Sequence, residues 1–196
     1  MVKNIVDLYT RAVASFGETL QHVSLDSWEK RTPCDDWTIQ TLVVHVLSGE
    51  VQLMNLVEDE TYSSPELSPN ILGPDPMSTW RGTAINAIRV AQDTPLGKEL
   101  PHPTVTLTLE RLLGARITDN AVHAWDLSQA LSLNHVIDPE IAEWALDYWA
   151  NMYDFLSQSE HFGPPQNPPD QTPSTRLLSL LGLSLIHISE PTRRYS

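Results

Sequence analysis

The sequence predicts an all-α protein, in which four long helices form a bundle and shorter helices follow towards the C-terminus. Apolar residues recur every three or four positions in each long segment, which is the period of an amphipathic helix. The segments between them are rich in proline, which lacks a backbone amide donor and ends helices. Amphipathic helices of this length bury their apolar stripes against one another, so we expect a helical bundle.

The first two helices are predicted from their apolar stripes. Apolar side chains step by three or four from Ile5 to Val23, and again from about Thr38 to Val57. A loop with the sequence Arg-Thr-Pro-Cys-Asp-Asp-Trp separates the two segments at residues 31–37. The second segment contains His45 at the edge of its apolar arc.

A long connection is predicted between helices two and three. Residues 58–78 contain five acidic residues and four prolines, which is typical of a solvated loop. A connection of this length is too long for a tight hairpin, and we interpret it as a crossover or a lid over a site. The third helix then follows from Met77 to about Asp93.

The C-terminal half is predicted to be helical apart from one short extended segment. Residues 105–109 alternate in polarity like a short strand, and helix four is expected from about Thr108 to Leu133. Asp138, Pro139 and an acidic residue open helix five, which is a favourable helix start. A last short helix is predicted over residues 175–181, ending at a glycine that suits the position after a helix.

Composition excludes several classes of function. Twelve basic and twenty-five acidic residues give a net charge of −13 and a pI near 4.7, which argues against nucleic-acid and anionic-membrane partners. The chain has no apolar run of membrane-spanning length, and its first residues do not resemble a secretory signal. Its single cysteine, Cys34, excludes an internal disulfide and a four-cysteine metal site. We therefore expect a cytoplasmic protein.

Residues 1–182 are predicted to form one helical domain, and residues 183–196 are interpreted as a separate tail. The tail contains Leu-Ile-His-Ile-Ser-Glu-Pro-Thr-Arg-Arg, which resembles translated sequencing-adaptor sequence rather than native protein. The alternative is a native, frayed C-terminus. We therefore leave His187 out of the candidate site.

The most informative segment lies on helix four. Asp119 and His123 are four residues apart and Asp126 follows three later, so all three fall on one stripe of a helix. A carboxylate and an imidazole one turn apart can bind one divalent ion from the same side. Pairs with this spacing also occur as simple ion pairs, and both interpretations stay open from spacing alone.

A third ligand has to come from another helix, and His45 is the best candidate. It is the only ionisable residue between Asp36 and Glu50, and it lies beside the apolar arc of helix two. An imidazole in such surroundings is either a neutral core histidine with a partner or a metal ligand. Both alternatives are compatible with the residues alone.

Structural roles are the first interpretation for the remaining candidates. We expect Cys34 to be a packing or merely tolerated residue of the loop, with a role near the metal as the alternative. We expect Trp37 to anchor the loop on the bundle rather than to contact substrate. Asp126 is either an orienting partner of a metal-bound imidazole or part of a salt bridge on the helix flank, and Arg116 pairs with a carboxylate or contacts an anionic substrate. Trp125 is expected to pack against another helix. The histidines expected at the surface are His22, His102, His135 and His161.

Two motifs of the sequence resemble those of a known protein family. Thr32-Pro33-Cys34, Trp37 and the apolar run to His45 resemble the first motif of DinB-like proteins related to mycothiol-dependent maleylpyruvate isomerase. The segment Asp119-x-x-x-His123-Ala-Trp-Asp-Leu resembles the second motif. Segments 162–165 and 176–182 also fit the family's smaller members. The resemblance covers about residues 5–182.

The resemblance implies a DinB-like four-helix bundle with a long loop between helices two and three and extra C-terminal helices. It implies that His45, Asp119 and His123 bind a divalent metal ion, often zinc, with nickel and manganese as alternatives. Asp119 stands where the isomerase has glutamate. The isomerase also has a second, sterol-carrier-like domain that these residues do not match, which makes isomerase activity a less favoured expectation.

Three functions remain open at this stage. The leading one is a metal-dependent enzyme that activates a low-molecular-weight thiol for S-transfer to a small electrophile. The alternatives are a non-catalytic metal-binding helical protein and a plain bundle with a core histidine. The expected partners are a small-molecule thiol and an electrophilic substrate, without nucleic acid or membrane, and a homodimer is compatible with the sequence.

Overall fold

The computed structural model describes residues 4–34, 36–58, 62, 67–152 and 164–183. These residues are mostly helical, and the predicted all-α class is confirmed. The α-helices are α1 (Ile5–Leu20), α2 (Ile39–Glu58), α3 (Pro76–Asp93), α4 (Leu109–Ala130), α5 (Pro139–Ala150) and α6 (Pro173–Leu180). Two short strands, β1 (Glu99–Leu100) and β2 (Leu107–Thr108), and two 3-10 turns, Leu25–Ser27 and Pro69–Leu72, lie between them.

The chain divides into two compact units. Residues Met1–Val136 form the first unit, with α1 to α4, and Ile137–Ser196 form the second, with α5 and α6. The predicted domain limits of 1–182 and 183–196 stay a prediction. The predicted tail lies outside the described residues, except for its first residue.

Aspartate side chains cap the first turns of α3 and α5. The side chain of Asp75 accepts hydrogen bonds from the backbone amides of Met77 and Ser78 at 3.2 Å, and Asp138 caps α5 in the same way through Glu140. Such caps satisfy amides that have no partner inside the helix. Helix α3 therefore begins one residue before the predicted start.

Two helix ends differ from the prediction. Helix α1 ends at Leu20 rather than Val23, and α4 ends at Ala130 rather than Leu133. In the turn after α4, Ser132 takes a positive φ of 58°, a left-handed conformation that interrupts the helix. Apolar periodicity continues past both ends because the residues that follow still contribute apolar side chains.

The core of the first unit lies between its four long helices. Helix α1 packs against α3 and α4, and α2 packs against the same two helices. Large side chains that are fully buried there include Tyr9, Phe16, Ile39, Leu42, Leu47, Leu53, Leu113, Ile117 and Leu127. The antiparallel contact of α2 with α4 is the one that positions the candidate site.

The extended segment before α4 forms one half of a small ribbon. Strand β2 pairs antiparallel with β1, with Leu100 opposite Leu107. The prediction of a short strand near residues 105–109 is confirmed for Leu107 and Thr108. Its partner strand was not predicted, because two residues are too few for an alternating pattern to be recognised.

In the second unit, α5 packs against α6. The hydroxyl of Ser174 donates a hydrogen bond to the carbonyl of Ile137 at 3.0 Å. Gly182 has a φ of 72° just after α6, in agreement with its predicted place beyond a helix end. Apolar residues at helical spacing from Ile141 to Leu156 predict a longer fifth helix, and the end of this stripe lies outside the described residues. None of the helices in the described ranges has the length and apolar character needed to cross a membrane.

Candidate metal centre

Three side chains converge where α2 lies against α4. His45 Nε2 is 3.0 Å from Asp119 Oδ1, and His123 Nε2 is 3.4 Å from the same oxygen. The three potential ligand atoms all lie within 4.8 Å of one another. The structure therefore brings together the three residues selected from the sequence, although metal binding by them stays a prediction.

Helix geometry explains this convergence. Asp119 and His123 are separated by one turn of α4, so their side chains point in the same direction. His45 comes from the facing helix α2, and its ring centroid is 5.0 Å from that of His123. Two neighbouring helices thus contribute two imidazoles and one carboxylate to a single place.

The distances fit a small divalent ion. Zinc lies about 2.0–2.1 Å from nitrogen and oxygen ligands, so two ligands of a tetrahedral ion are about 3.3 Å apart. The two distances from Asp119 Oδ1, 3.0 and 3.4 Å, bracket this value. The side chains of His45, Asp119 and His123 remain 33%, 23% and 13% exposed, so the group is partly accessible to solvent.

The other nitrogen of His123 is held by a buried carboxylate. Its Nδ1 lies 2.9 Å from Asp126 Oδ2, and Asp126 is completely buried. A metal-binding histidine commonly donates its second ring N–H to such a carboxylate, which fixes the tautomer and ring orientation. Asp126 therefore pairs with His123 on α4 through a buried side chain rather than at an exposed flank, and its role in orienting a metal-bound imidazole stays a prediction.

Cys34 also lies on the Nδ1 side of His123. Its thiol donates to Asp126 Oδ2 at 3.3 Å and lies 4.0 Å from His123 Nδ1. Burial is the main cause of the raised pKa of the Cys34 thiol, which the hydrogen bond to His123 only partly opposes. The expectation that Cys34 only packs is therefore incomplete, since its thiol contacts both His123 and the Asp126 carboxylate that holds the His123 ring.

The loop before α2 brings Cys34 and Trp37 to this place. The amide of Thr32 donates to the carbonyl of Trp37 at 3.0 Å, and residues 31 and 38 form a β-bridge that closes the loop. The Trp37 ring lies 4.9 Å from the ring of His45 and 5.7 Å from that of His123, measured between centroids. Trp37 thus anchors the loop, as predicted, and it does so on the two histidines.

Nearby charges shift the ionisation of Asp119 and His123. Burial opposes ionisation of Asp119, but the Arg116 guanidinium, followed by the two imidazoles, holds the pKa of its carboxyl well below the usual range. Burial also opposes protonation of His123, and Asp119 outweighs it and raises the pKa of the imidazole well above its usual value. The carboxylate is therefore fully ionised at neutral pH, as a metal ligand must be.

A buried polar network adjoins the site, and sequence reasoning missed most of it. Arg116 was expected to pair with a carboxylate, and it does so with Glu50 and Asp119, both at 2.7 Å. Glu50 also accepts hydrogen bonds from Tyr9 and from Asn120. One signal was present: Glu50 follows Val46 by four residues on the apolar arc of α2, where an acid needs a buried partner.

The remaining histidines differ in part from the expectation of surface positions. His22 is exposed, as predicted, whereas His102 and His135 are half-buried. His135 lies 3.4 Å from the hydroxyl of Ser15, and its burial lowers the pKa of the imidazole. His161 and His187 lie outside the described residues. Trp125 is buried in the bundle, as predicted.

A helical bundle with two imidazoles and a carboxylate gathered from two adjacent helices defines a class, the DinB-like helical proteins. Residues 9–128 match the family described as the mycothiol maleylpyruvate isomerase N-terminal domain. This match covers more than half of the chain and contains all three converging residues. The chain therefore belongs to this mycothiol-related family, and the resemblance seen in the sequence is confirmed.

Two further proteins are similar in sequence to this chain. Both are uncharacterized proteins of Mycobacterium tuberculosis, one from strain CDC 1551 / Oshkosh and one from strain H37Rv. Each is 27% identical to this chain over 135 residues, which span 68% of this chain and 71% of the relative. No solved structure gives a significant match.

Proposed function

We propose that the first unit binds one divalent metal ion through His45, Asp119 and His123 and uses it to activate a low-molecular-weight thiol. The intact thiolate would then form a bond through its sulfur to a small electrophile. The observation that carries this proposal is the convergence of His45 Nε2 and His123 Nε2 on Asp119 Oδ1, at 3.0 and 3.4 Å. Zinc is the first candidate, with nickel and manganese as alternatives, because mixed nitrogen and oxygen ligation suits all three ions.

Side chains of the first unit would hold the metal ion and orient its ligands. His45 and the Asp119–His123 pair approach from two helices, and Asp126 keeps the His123 ring turned so that Nε2 faces Asp119. Trp37 covers one side of the two imidazoles. Three protein ligands leave at least one coordination position open, which is typical of catalytic rather than structural zinc sites.

A bound divalent ion would favour the thiolate over the thiol and so supply a nucleophile at neutral pH. In an addition, the new bond joins sulfur to the electrophilic carbon, and the proton lost by the thiol is returned to the adduct. In a substitution, the leaving group departs with its electron pair and the proton is released to solvent. The partial exposure of the three ligands leaves an approach for both small molecules.

A mycothiol-like thiol is the preferred cosubstrate, because the chain belongs to a mycothiol-related family. The proposal keeps the expected partners, a small thiol and an electrophile, together with the expectation of a cytoplasmic protein. The acidic net charge of −13 supports the absence of nucleic acid among these partners.

A second candidate is a metal-binding helical protein without turnover. It is favoured by the position of the three ligands at the contact between α2 and α4, where an ion would connect the two helices. Metal binding is common to both candidates, so thiol chemistry has to separate them.

The test measures metal content first and thiol consumption second. Protein purified without a histidine tag or chelator should contain about one zinc, nickel or manganese ion per chain by elemental analysis. His45→Ala should lose it, whereas His22→Ala, which changes an exposed histidine of the same unit, should retain it. A wild-type protein that binds none of these ions would contradict both candidates.

Loaded protein should then consume mycothiol, bacillithiol or glutathione in the presence of a model electrophile, such as a maleyl or chlorodinitrophenyl compound. We expect this consumption to depend on the metal and to be absent in His45→Ala. Loaded protein that consumes none of the three thiols would support the candidate without turnover.

A further inference from the structure

Arg116 connects the candidate metal centre to a fully buried carboxylate. Its Nε and Nη2 donate to Glu50 Oε1 at 3.1 and 2.7 Å, and its Nη1 donates to Asp119 Oδ2 at 2.7 Å. Glu50 is completely buried and Arg116 is 7% exposed. One planar guanidinium therefore holds two carboxylates in fixed relative positions.

The two oxygens of Asp119 have different surroundings. Oδ2 is occupied by Arg116, whereas Oδ1 faces His45 at 3.0 Å and His123 at 3.4 Å. A cation that approaches the two imidazoles therefore meets the one carboxylate oxygen of Asp119 that is not bonded to Arg116.

The position of the guanidinium is set by the backbone of α2. Nη2 donates to the carbonyl of Val46 at 3.0 Å, and a Cβ atom on Gly49 would lie 2.2 Å from Nη1 and 2.5 Å from the central carbon. No side chain larger than hydrogen fits at residue 49 unless Arg116 moves. Gly49 therefore provides the space that the Arg116 side chain occupies.

Glu50 is itself held from two sides. Tyr9 on α1 and Asn120 on α4 both donate to it, the latter at 2.7 Å. The guanidinium of Arg116 lies 2.7 Å from a carboxylate oxygen of Glu50 and 2.7 Å from one of Asp119. Since the positive charge of Arg116 is matched by Glu50, it does not repel a cation beside Asp119 as strongly as an isolated arginine would.

We propose that Arg116, seated on Gly49 and fixed by Glu50, is a positioning residue that limits Asp119 to one coordinating oxygen and so makes the site select zinc over manganese. This inference rests on the proposed function, because it concerns the same metal centre. Zinc is satisfied by four ligands of mixed nitrogen and oxygen type, whereas manganese favours a larger set of oxygen ligands. If Arg116 is displaced, the second oxygen of Asp119 becomes available and the coordination number can rise.

The test compares Gly49→Ala, which moves the guanidinium without removing a polar group, with wild-type protein. The Kd values for zinc and for manganese are measured by competition with a chromophoric chelator, and the visible absorption of the cobalt-loaded protein reports the coordination number. We expect the ratio of manganese Kd to zinc Kd to fall at least tenfold in Gly49→Ala. We also expect its cobalt absorption to weaken, since the intense bands of four-coordinate cobalt are lost at higher coordination number.

Two further variants keep the test decisive. Arg116→Lys retains a cation but not the planar fork, and it should show the same loss of selectivity if Gly49→Ala does not fold. Gly17→Ala is the matched control. It places a Cβ atom 2.6 Å from Trp80 Nε1, and neither residue belongs to the candidate metal centre or its Arg116–Glu50 network. It should leave the metal selectivity and the cobalt spectrum unchanged.

Wild-type selectivity and an unchanged cobalt spectrum in folded Gly49→Ala or Arg116→Lys would overturn the inference, and so would an equal loss of affinity for both metals. In those cases, metal binding by the wild-type protein would leave the proposed function intact. A wild-type protein that binds neither zinc nor manganese would overturn the inference, and one that binds no zinc, nickel or manganese would overturn both proposals.

Discussion

Opposite nitrogens of one imidazole have separate partners in this protein. Nε2 of His123 faces Asp119, and Nδ1 faces Asp126 at 2.9 Å. Asp126 Oδ1 has no hydrogen-bond partner among the described residues, so the carboxylate is held mainly through Oδ2. This division leaves one nitrogen for a ligand and uses the other to fix the ring.

Asp126→Asn should weaken metal binding. The amide cannot accept and orient the His123 N–H as strongly as a carboxylate, so we expect the metal Kd to rise by about 10–100-fold. Isothermal titration with zinc measures this change. Asp93→Asn, which alters an exposed carboxylate on α3, is the matched control, and an unchanged Kd in Asp126→Asn would contradict the orienting role.

His135 should contribute a pH dependence to stability in the metal-free protein. Its burial lowers the pKa below the ordinary value of 6.5, although Glu18 partly opposes this. Below pH 6.5 the unfolded state therefore binds more protons than the folded state, and stability falls as the pH decreases through the lowered folded pKa. Urea unfolding from pH 7.5 to 5 should show that wild type loses more stability than His135→Asn. Parallel curves for the two proteins would contradict this.

The three ligand candidates could be predicted from the sequence, but the buried Arg116–Glu50 network beside them could not. Asp119 and His123 share a turn, which is local information, and His45 is a lone ionisable group in an apolar run. The contact of Arg116 with Glu50 joins residues 66 positions apart. Which arginine meets which acid depends on the packing of α2 against α4, and periodicity does not contain that information.

At the scale of elements, two glycines on neighbouring helices have opposite surroundings. Gly17 on α1 faces the buried ring of Trp80, which in turn contacts Phe16 with ring centroids 4.8 Å apart. At Gly82 on α3, apart from the local helix backbone and the two chain neighbours, no atom of the described residues lies within 4 Å of the position where a Cβ would be. The close approach of α1 to α3 thus depends on the first glycine and not on the second.

Alanine substitutions at these two glycines should therefore have opposite effects. Gly82→Ala should stabilise the protein by up to about 1 kcal/mol, because alanine has the higher helix propensity. Gly17→Ala should destabilise it by about 1–3 kcal/mol, because the Trp80 ring has to move within a packed core. Urea unfolding of both variants measures the difference. Stabilisation by both substitutions would show that Trp80 does not limit the approach of α1 and α3.

Element boundaries were predictable where they depend on local chemistry. Asp75 and Asp138 cap α3 and α5 through amides two or three residues ahead, and such contacts can be recognised in the sequence. The ends of α1 and α4 were placed three residues too late, because apolar residues continue beyond the last helical turn. Strand β1 could not be recognised, since its two residues pair only through the tertiary fold.

At the scale of the whole molecule, metal binding should stabilise the folded chain. A ligand that binds only the folded state contributes about 2.7 kcal/mol at a free concentration of roughly one hundred times Kd. This corresponds to a rise in Tm of about 5–10 °C for a chain of this size. Thermal unfolding with zinc and with a chelator measures the rise. The same rise in His45→Ala would show that zinc acts elsewhere on the chain.

The measurement that tests the metal centre most directly is an anomalous difference map from zinc-soaked crystals, recorded on both sides of the zinc absorption edge. The geometry of α2 and α4 predicts one strong peak within about 2.0–2.2 Å of His45 Nε2, His123 Nε2 and one oxygen of Asp119. The second oxygen should remain on Arg116. A map with no peak among these atoms, or with its peak beside Cys34 and Asp126 instead, would contradict the proposed centre.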